Sequence, residues 1–80
     1  MKLNLAKQNK SYKILKIEYN MPLISNRLHD LGIIELATIT VIREGKNNAC
    51  LIILVNERLV AVSNEIASKI EVTLNGNGNE

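Results

Sequence analysis

Short apolar segments with a period of two constrain the fold of this chain more than any other feature. SYKILKIEY, ATITVIR and KIEVTL each place an apolar residue at about every second position, which is typical of half-buried strands. The chain has no Phe and no Trp, and its only aromatic residues are Tyr12 and Tyr19. Ile, Leu and Val must therefore fill the core, and their β-branched members favour strands. We expect a mainly β fold.

The order of these segments predicts an architecture. Leu3 and Leu5 alternate and predict a short leading strand; further strands are expected near 11–19, 37–43, 49–55, 59–62 and 69–74. Ser63 or Asn64 can cap one helical turn before the last strand. Five short strands with tight turns suggest a small closed barrel, because closure removes exposed sheet edges. The barrel would occupy residues 1–74, and NGNGNE, residues 75–80, would be a disordered tail.

One short helix is expected between the first two strands of this barrel. Pro22 fits the first helical turn, where its missing N–H costs nothing. Gly32 fits the position just after the helix, which favours a left-handed backbone. Ile33 and Leu28 then occupy the two positions that touch in a Schellman ending. The apolar stripe of this helix is Leu23, Ile24, Leu28 and Leu31.

Composition and charge limit the function classes. The net charge is +2 without a basic run, and the two Tyr make a poor platform for bases, so we expect no nucleic-acid partner. The apolar runs are far shorter than the roughly 20 residues of a membrane-spanning helix. The start MKLNLAKQNK does not resemble a signal peptide, and Cys50 has no second cysteine to pair with. We expect a soluble cytoplasmic protein that does not insert into membranes.

The chain has few residues that could bind a metal ion or act in catalysis. Structural zinc needs four ligands, usually Cys and His, and this chain has one of each. His29 and Asp30 are adjacent on the predicted helix, so their side chains diverge by roughly 100°. Cys50 lies in an apolar strand, Ser63 fits a helix cap, and no Gly-rich phosphate loop is present. We expect no enzyme, no resident cofactor and no intramolecular metal site, with His29 kept as a weak candidate for a divalent ion.

Three motifs together resemble the FeoA family of ferrous iron transport accessory proteins. RLHDLGI is similar to the family pattern Arg-Leu-x-x-Leu-Gly, TITVIR follows at a similar spacing, and LVAVSNEIASKIEV resembles the family's ending. The resemblance covers residues 3–74. It implies an SH3-like β-barrel that binds and regulates FeoB, a membrane transporter for Fe(II), on the cytoplasmic side. A similar domain ends repressors of the DtxR type, but this chain has no helix-turn-helix, which makes the repressor interpretation a poor one.

The chain departs from the family pattern in three loops. Leu36 stands near a position that is usually Gly, and residues 46–49, KNNA, replace a frequent Leu-Gly-Asp-Pro. Ser63 or Asn64 stands where an Arg commonly follows the penultimate strand. These departures affect contacts made by loops more than the fold.

These considerations give a hypothesis for the partner site, formed by Leu23, Arg27, Leu31 and Leu36. Arg27 would supply a hydrogen-bonding rim and Leu31 an anchor. The competing interpretations are that the leucines belong to the core and that Arg27 forms a surface ion pair with Asp30. Two other functions stay open: a divalent-metal sensor domain and a general SH3-like peptide-binding module. A weak homo-oligomer through exposed apolar surface is a further alternative.

Overall fold

The computed structural model describes residues 1–75, without the side chain of Asn48, and shows one antiparallel sheet of five strands. The strands are β1 (Ser11–Ile17), β2 (Thr38–Glu44), β3 (Cys50–Val55), β4 (Arg58–Ser63) and β5 (Ile70–Leu74), and their order in the sheet is β4-β3-β2-β1-β5. Helix α1 (Pro22–Asp30) joins β1 to β2, and the four-residue α2 (Asn64–Ala67) joins β4 to β5. Two 3-10 turns lie at Leu3–Leu5 and Lys46–Asn48. The mainly β prediction is confirmed.

The sheet is not closed into the barrel that we expected. β4 and β5 are its two edges, and no hydrogen-bonded pairing joins them within residues 1–75. The N-terminal segment occupies the outer edge of β5 instead: the Val72 N–H donates to the Met1 carbonyl over 2.7 Å, and Lys2 pairs with Glu71. Because these backbone groups of β5 are already bonded, they are not available to a closing strand.

The predicted leading strand at Leu3 and Leu5 is wrong. These residues form a 3-10 turn in which Leu3 is fully buried and Leu5 is 67% exposed. Side chains two apart in a strand point to the same face, whereas this turn sends them apart. The alternation of two leucines was too short a pattern to distinguish the two structures.

The core follows the period of two that the strand sequences show. Leu51, Ile53 and Val55 of β3 are buried, while the intervening residues lie on the outer face. The same alternation buries Tyr12 and Ile14 of β1. No polar or charged side chain is buried among the described residues, so the interior is almost wholly aliphatic.

Both ends of α1 have the predicted geometry. Pro22 opens the helix, and Gly32 follows the C-cap residue Leu31 with φ +87°. The Gly32 N–H donates to the His29 carbonyl and the Ile33 N–H donates to the Leu28 carbonyl, each over 2.9 Å. These two bonds define a Schellman motif, so RLHDLGI is confirmed as a helix ending.

The second helix is capped by Ser63 rather than Asn64. The Ser63 hydroxyl accepts a hydrogen bond from the Ile66 N–H over 3.1 Å.

After β5, the Asn75 N–H donates to the Ser11 carbonyl over 3.0 Å. The rest of the predicted disordered tail, residues 76–80, lies outside the described residues.

Candidate functional site: a groove between α1 and β4

A largely apolar groove of about 600 Å³ lies between α1 and the edge strand β4. Helix α1 contributes one wall and β4 the other, and Ile66 of α2 also lines the groove. The apolar lining residues are Leu23, Ile24, Leu28, Leu31, Val60, Ala61, Val62 and Ile66. The polar groups at the groove belong to α1 and include Arg27 and Asp30.

The groove exists because the apolar stripe of α1 is wider than the sheet can cover. Leu28 enters the core and is 4% exposed, and Ile24 and Leu31 are half-buried against it. Leu23, beside Ile24 on the helix, is 85% exposed. Consecutive apolar positions on a helix point about 100° apart, so one contact with the core cannot bury them all.

Arg27 and Asp30 do not form the surface ion pair that was one alternative for Arg27. Within residues 1–75, the ion pairs involve the N-terminal ammonium, Lys2, Glu18 and Glu71, and no carboxylate lies within ion-pair distance of Arg27. Both α1 side chains are exposed at the groove. A guanidinium and a carboxylate, one helical turn apart, are therefore both accessible to a partner.

Leu36 lies apart from the other three residues of the predicted site. It is 72% exposed and does not line the groove. Its backbone is left-handed, with φ +73°, and its N–H donates to the Ile14 carbonyl over 2.7 Å. Glycine adopts such a conformation without strain, which gives a physical reason for the glycine that the family usually has near this position.

The sequence predicted the wall of the groove that α1 forms but not the wall that β4 forms. Leu23, Arg27 and Leu31 share one face at helical spacing, and the structure places all three at the groove. A strand was predicted at residues 59–62, but nothing in the sequence showed that β4 lies next to α1 or that Val60 and Val62 face the groove.

His29 lines a second, smaller cavity of about 370 Å³ on another side of α1. Glu35, Tyr19 and Ser25 lie along the same cavity. The Ser25 hydroxyl can donate a hydrogen bond to the Tyr19 carbonyl over 3.3 Å or to the Met21 carbonyl over 3.2 Å. In the part of the chain that the structure describes, no group of three His, Cys, Asp or Glu residues is placed to hold a metal ion. His29 thus stays a weak candidate, now with Glu35 lining the same cavity.

Ion pairs of the N-terminal segment shift the pKa values of the carboxylates that they reach. The Lys2 ammonium lies 2.8 Å from a Glu18 oxygen and 3.4 Å from a Glu71 oxygen. The hydrogen bond from Lys2 lowers the pKa of Glu18, and the hydrogen bond from the N-terminal ammonium lowers the pKa of Glu71. This cluster fastens the first residues to β5 and to the end of β1.

None of the helices within residues 1–75 has both the length and the apolar character that crossing a bilayer requires.

Comparisons with solved structures give strong fold matches. The solution structure of the FeoA protein from Chlorobium tepidum matches with a TM-score of 0.87 and 25% sequence identity, over 100% of this chain and 74% of that one. Iron(II) transport protein A from Clostridium thermocellum matches with a TM-score of 0.86 and 20% identity, over 95% of this chain and 46% of that one. The regulator IdeR of T. acidophilum matches with a TM-score of 0.81 and 21% identity, over 94% of this chain and 34% of that one. The last two likenesses concern the fold alone.

Comparisons by sequence place the chain in a family. No curated protein matches the sequence. The family model described as the FeoA domain matches residues 1–74, which is nearly the whole chain. The chain therefore belongs to the FeoA family, and this membership points to a role in Fe(II) transport.

Proposed function

We propose that this protein is a cytoplasmic accessory protein of Fe(II) uptake that binds the cytoplasmic part of a FeoB-type transporter. It acts by binding and regulating, while the transporter carries the iron. Membership of the FeoA family supports the iron-transport role. The groove between α1 and β4 supports a protein partner, because it is concave, mostly apolar and bordered by Arg27 and Asp30, which form no ion pair within residues 1–75.

The exposure of Leu23 is the observation that carries the proposal. A leucine that is 85% exposed at the rim of an apolar groove has most of its surface available to a partner. Burying a leucine side chain contributes about 1.5–3 kcal/mol. Arg27, one turn further along, can donate to a carboxylate of the partner at the rim. Leu31 also lines the groove, and Leu36 provides a separate exposed contact outside it.

A variant of Leu23 tests this proposal without threatening the fold. Leu23→Glu places a charge where a partner would bury an apolar side chain, so we expect at least tenfold weaker binding to the transporter's isolated cytoplasmic domain, and to membranes that carry it. Leu5→Glu is the matched control, because Leu5 is also exposed and does not line the groove. Thermal unfolding of both variants establishes that they are folded.

Three results are informative. Loss of binding in Leu23→Glu alone supports the groove. Equal binding by both variants and the wild type would move the site elsewhere on the molecule. No binding by the wild type, with or without a guanine nucleotide, would contradict the accessory function itself.

A divalent-metal sensor is the second candidate function. The single observation in its favour is that His29 and Glu35 line one cavity. Calorimetric titration with Fe(II), Mn(II) and Zn(II) separates the two proposals. A stoichiometric sub-micromolar site that is lost in His29→Gln would establish metal binding; its absence would leave the protein partner as the better explanation.

A general binder of proline-rich peptides fits the structure less well. Such ligands dock in grooves lined by aromatic residues. Tyr12 is buried in the core, and Tyr19 lines the second cavity instead of the groove.

A further inference from the structure

The two edges of the sheet are protected very differently. The outer edge of β5 is covered by the backbone of Met1 and Lys2. After Arg58, the outer edge of β4 carries the sequence LVAV, with neither a charge nor a proline, and its pairing with β3 runs without a bulge. Proteins usually block such an edge with lysine, proline or a bulge, because an open regular edge is a template for another strand.

The β3–β4 hairpin shows which backbone groups of β4 are free. Val55 pairs with Arg58 across a two-residue turn, and the Asn64 N–H donates to the Ala49 carbonyl on the β3 side over 3.0 Å. In an antiparallel pair, hydrogen-bonded and non-hydrogen-bonded positions alternate. Even-numbered residues of β4 therefore bond to β3, while Leu59 and Ala61 direct their N–H and C=O groups outward. Across residues 1–75 these four groups have no backbone partner.

We infer that the groove receives an extended segment of its partner, which adds to the outer edge of β4 as a sixth strand. The inference rests on the proposed function and specifies how the transporter's cytoplasmic part is held. A row of unbonded backbone donors and acceptors is complementary to an extended backbone, whereas a helix bonds its own N–H and C=O groups internally. The free edge thus selects the conformation of the partner.

The groove suits the side chains of such a strand. Alternate side chains of an added strand lie on the core-facing side of the sheet, which is the side where α1 stands. They would fill the space between β4 and the helix and cover Leu23. Arg27 and Asp30 lie one turn apart and form no ion pair within the described residues, so they favour one acidic and one basic residue in the segment. The expected ligand is therefore an extended, alternately apolar peptide with one residue of each charge.

Proline at Ala61 tests the backbone contact directly. Ala61→Pro removes an outward N–H that β4 does not use in its own sheet, and proline is tolerated on an edge strand at such a position. We expect at least tenfold weaker binding to the cytoplasmic domain of the transporter. Ala61→Val is the comparison at the same position, because it adds a similar bulk and keeps the N–H, so it should bind more tightly than Ala61→Pro.

Amide hydrogen exchange of the wild-type complex gives an independent readout. The amides of Leu59 and Ala61 should become protected when the transporter domain is bound, while a partner that only touches side chains would leave them exchanging as in the free protein. Wild-type binding that persists in Ala61→Pro, without protection of these amides, would overturn strand addition and leave the proposed function standing. Absence of wild-type binding would overturn the proposed function instead.

The same variants identify a second copy as occupant. If the wild type is a dimer in solution and Ala61→Pro is a monomer, the edge of β4 serves self-association. That result would overturn the assignment of the edge to the transporter.

Discussion

At the scale of the residue, Leu36 has a backbone conformation that is unfavourable for leucine. Leu36 has φ +73°, a left-handed conformation that costs a non-glycine residue about 1–2 kcal/mol. Its side chain is 72% exposed and recovers little of this cost by packing. The backbone of Leu36 therefore lowers the stability of the fold, which agrees with the role in binding that we propose for its side chain.

We predict that Leu36→Gly stabilises the protein. Glycine removes the left-handed strain but loses about 0.5–1 kcal/mol of backbone entropy, so the net gain is about 0.5–1 kcal/mol. Gly32→Ala is the contrasting variant: it introduces the same strain at φ +87° and directs a methyl group at the Asn56 side chain, so it should lose about 1 kcal/mol. Urea unfolding measures both, and a loss of stability in Leu36→Gly would contradict the account of strain.

At the scale of the element, local patterns predicted most of this fold. The strands and α1 could be predicted because a period of two or of 3.6 is written in consecutive residues. The Schellman ending needed only Leu28, Gly32 and Ile33, which lie within six consecutive residues. Leu36 was grouped with the helix residues from sequence alone, and the structure separates it, because side-chain direction after a helix depends on the loop.

Features that depend on distant partners could not be predicted. Leu3 is buried in a turn beside β5, a strand that begins at Ile70, so no local pattern reveals its environment. The open sheet has the same origin, since the segment at Met1 and Lys2 covers an edge built at the other end of the chain. The groove shares this limit: its wall on α1 was visible in the sequence and its wall on β4 was not.

The ion pairs of the segment at Met1 and Lys2 predict that its attachment to β5 weakens at acidic pH. Hydrogen bonds from Lys2 lower the pKa of Glu18 from its ordinary value of 4.5, so folding favours the ionised carboxylate. The stabilising contribution is complete above pH 4.5 and is lost as the pH falls through the lowered pKa. Nuclear magnetic resonance can follow the hydrogen exchange of the Val72 N–H from pH 6 downward. Its protection should fall as the pH drops below 4.5, by more than the intrinsic effect of pH on exchange.

Glu18→Gln is the control for this pH dependence. Glutamine cannot be deprotonated, so the variant should have lower protection of the Val72 N–H at pH 6 and a flatter change on acidification. Because Lys2 and Glu18 are exposed at the surface, added salt should reduce the difference between the variant and the wild type. Parallel pH profiles for the two proteins would show that another group controls the segment.

At the scale of the whole molecule, α1 is attached to the sheet through few side chains. Leu28 is its one fully buried residue within the described structure, with Ile24 and Leu31 packed beside it. The sheet, by contrast, is held by pairing between all neighbouring strands and by an aliphatic core. Stability per residue of about 0.05–0.15 kcal/mol gives a domain of this size about 4–12 kcal/mol, so a weakly attached helix can open at lower cost than the whole fold.

Leu28→Ala should therefore separate the movement of α1 from unfolding of the sheet. Removing a buried leucine side chain costs about 2–5 kcal/mol, and here the loss falls on the contact that holds one wall of the groove. We expect the amides of α1 to exchange much faster than those of β1 and β3, together with weaker binding of the transporter domain. Leu51→Ala is the matched control, since Leu51 is equally buried in β3 and does not line the groove. This control should lower the global stability by a similar amount. It should raise amide exchange in the helix and in the sheet together. If both variants raised exchange uniformly, α1 would be an integral part of a single cooperative unit, and the groove would have a fixed width set by the core.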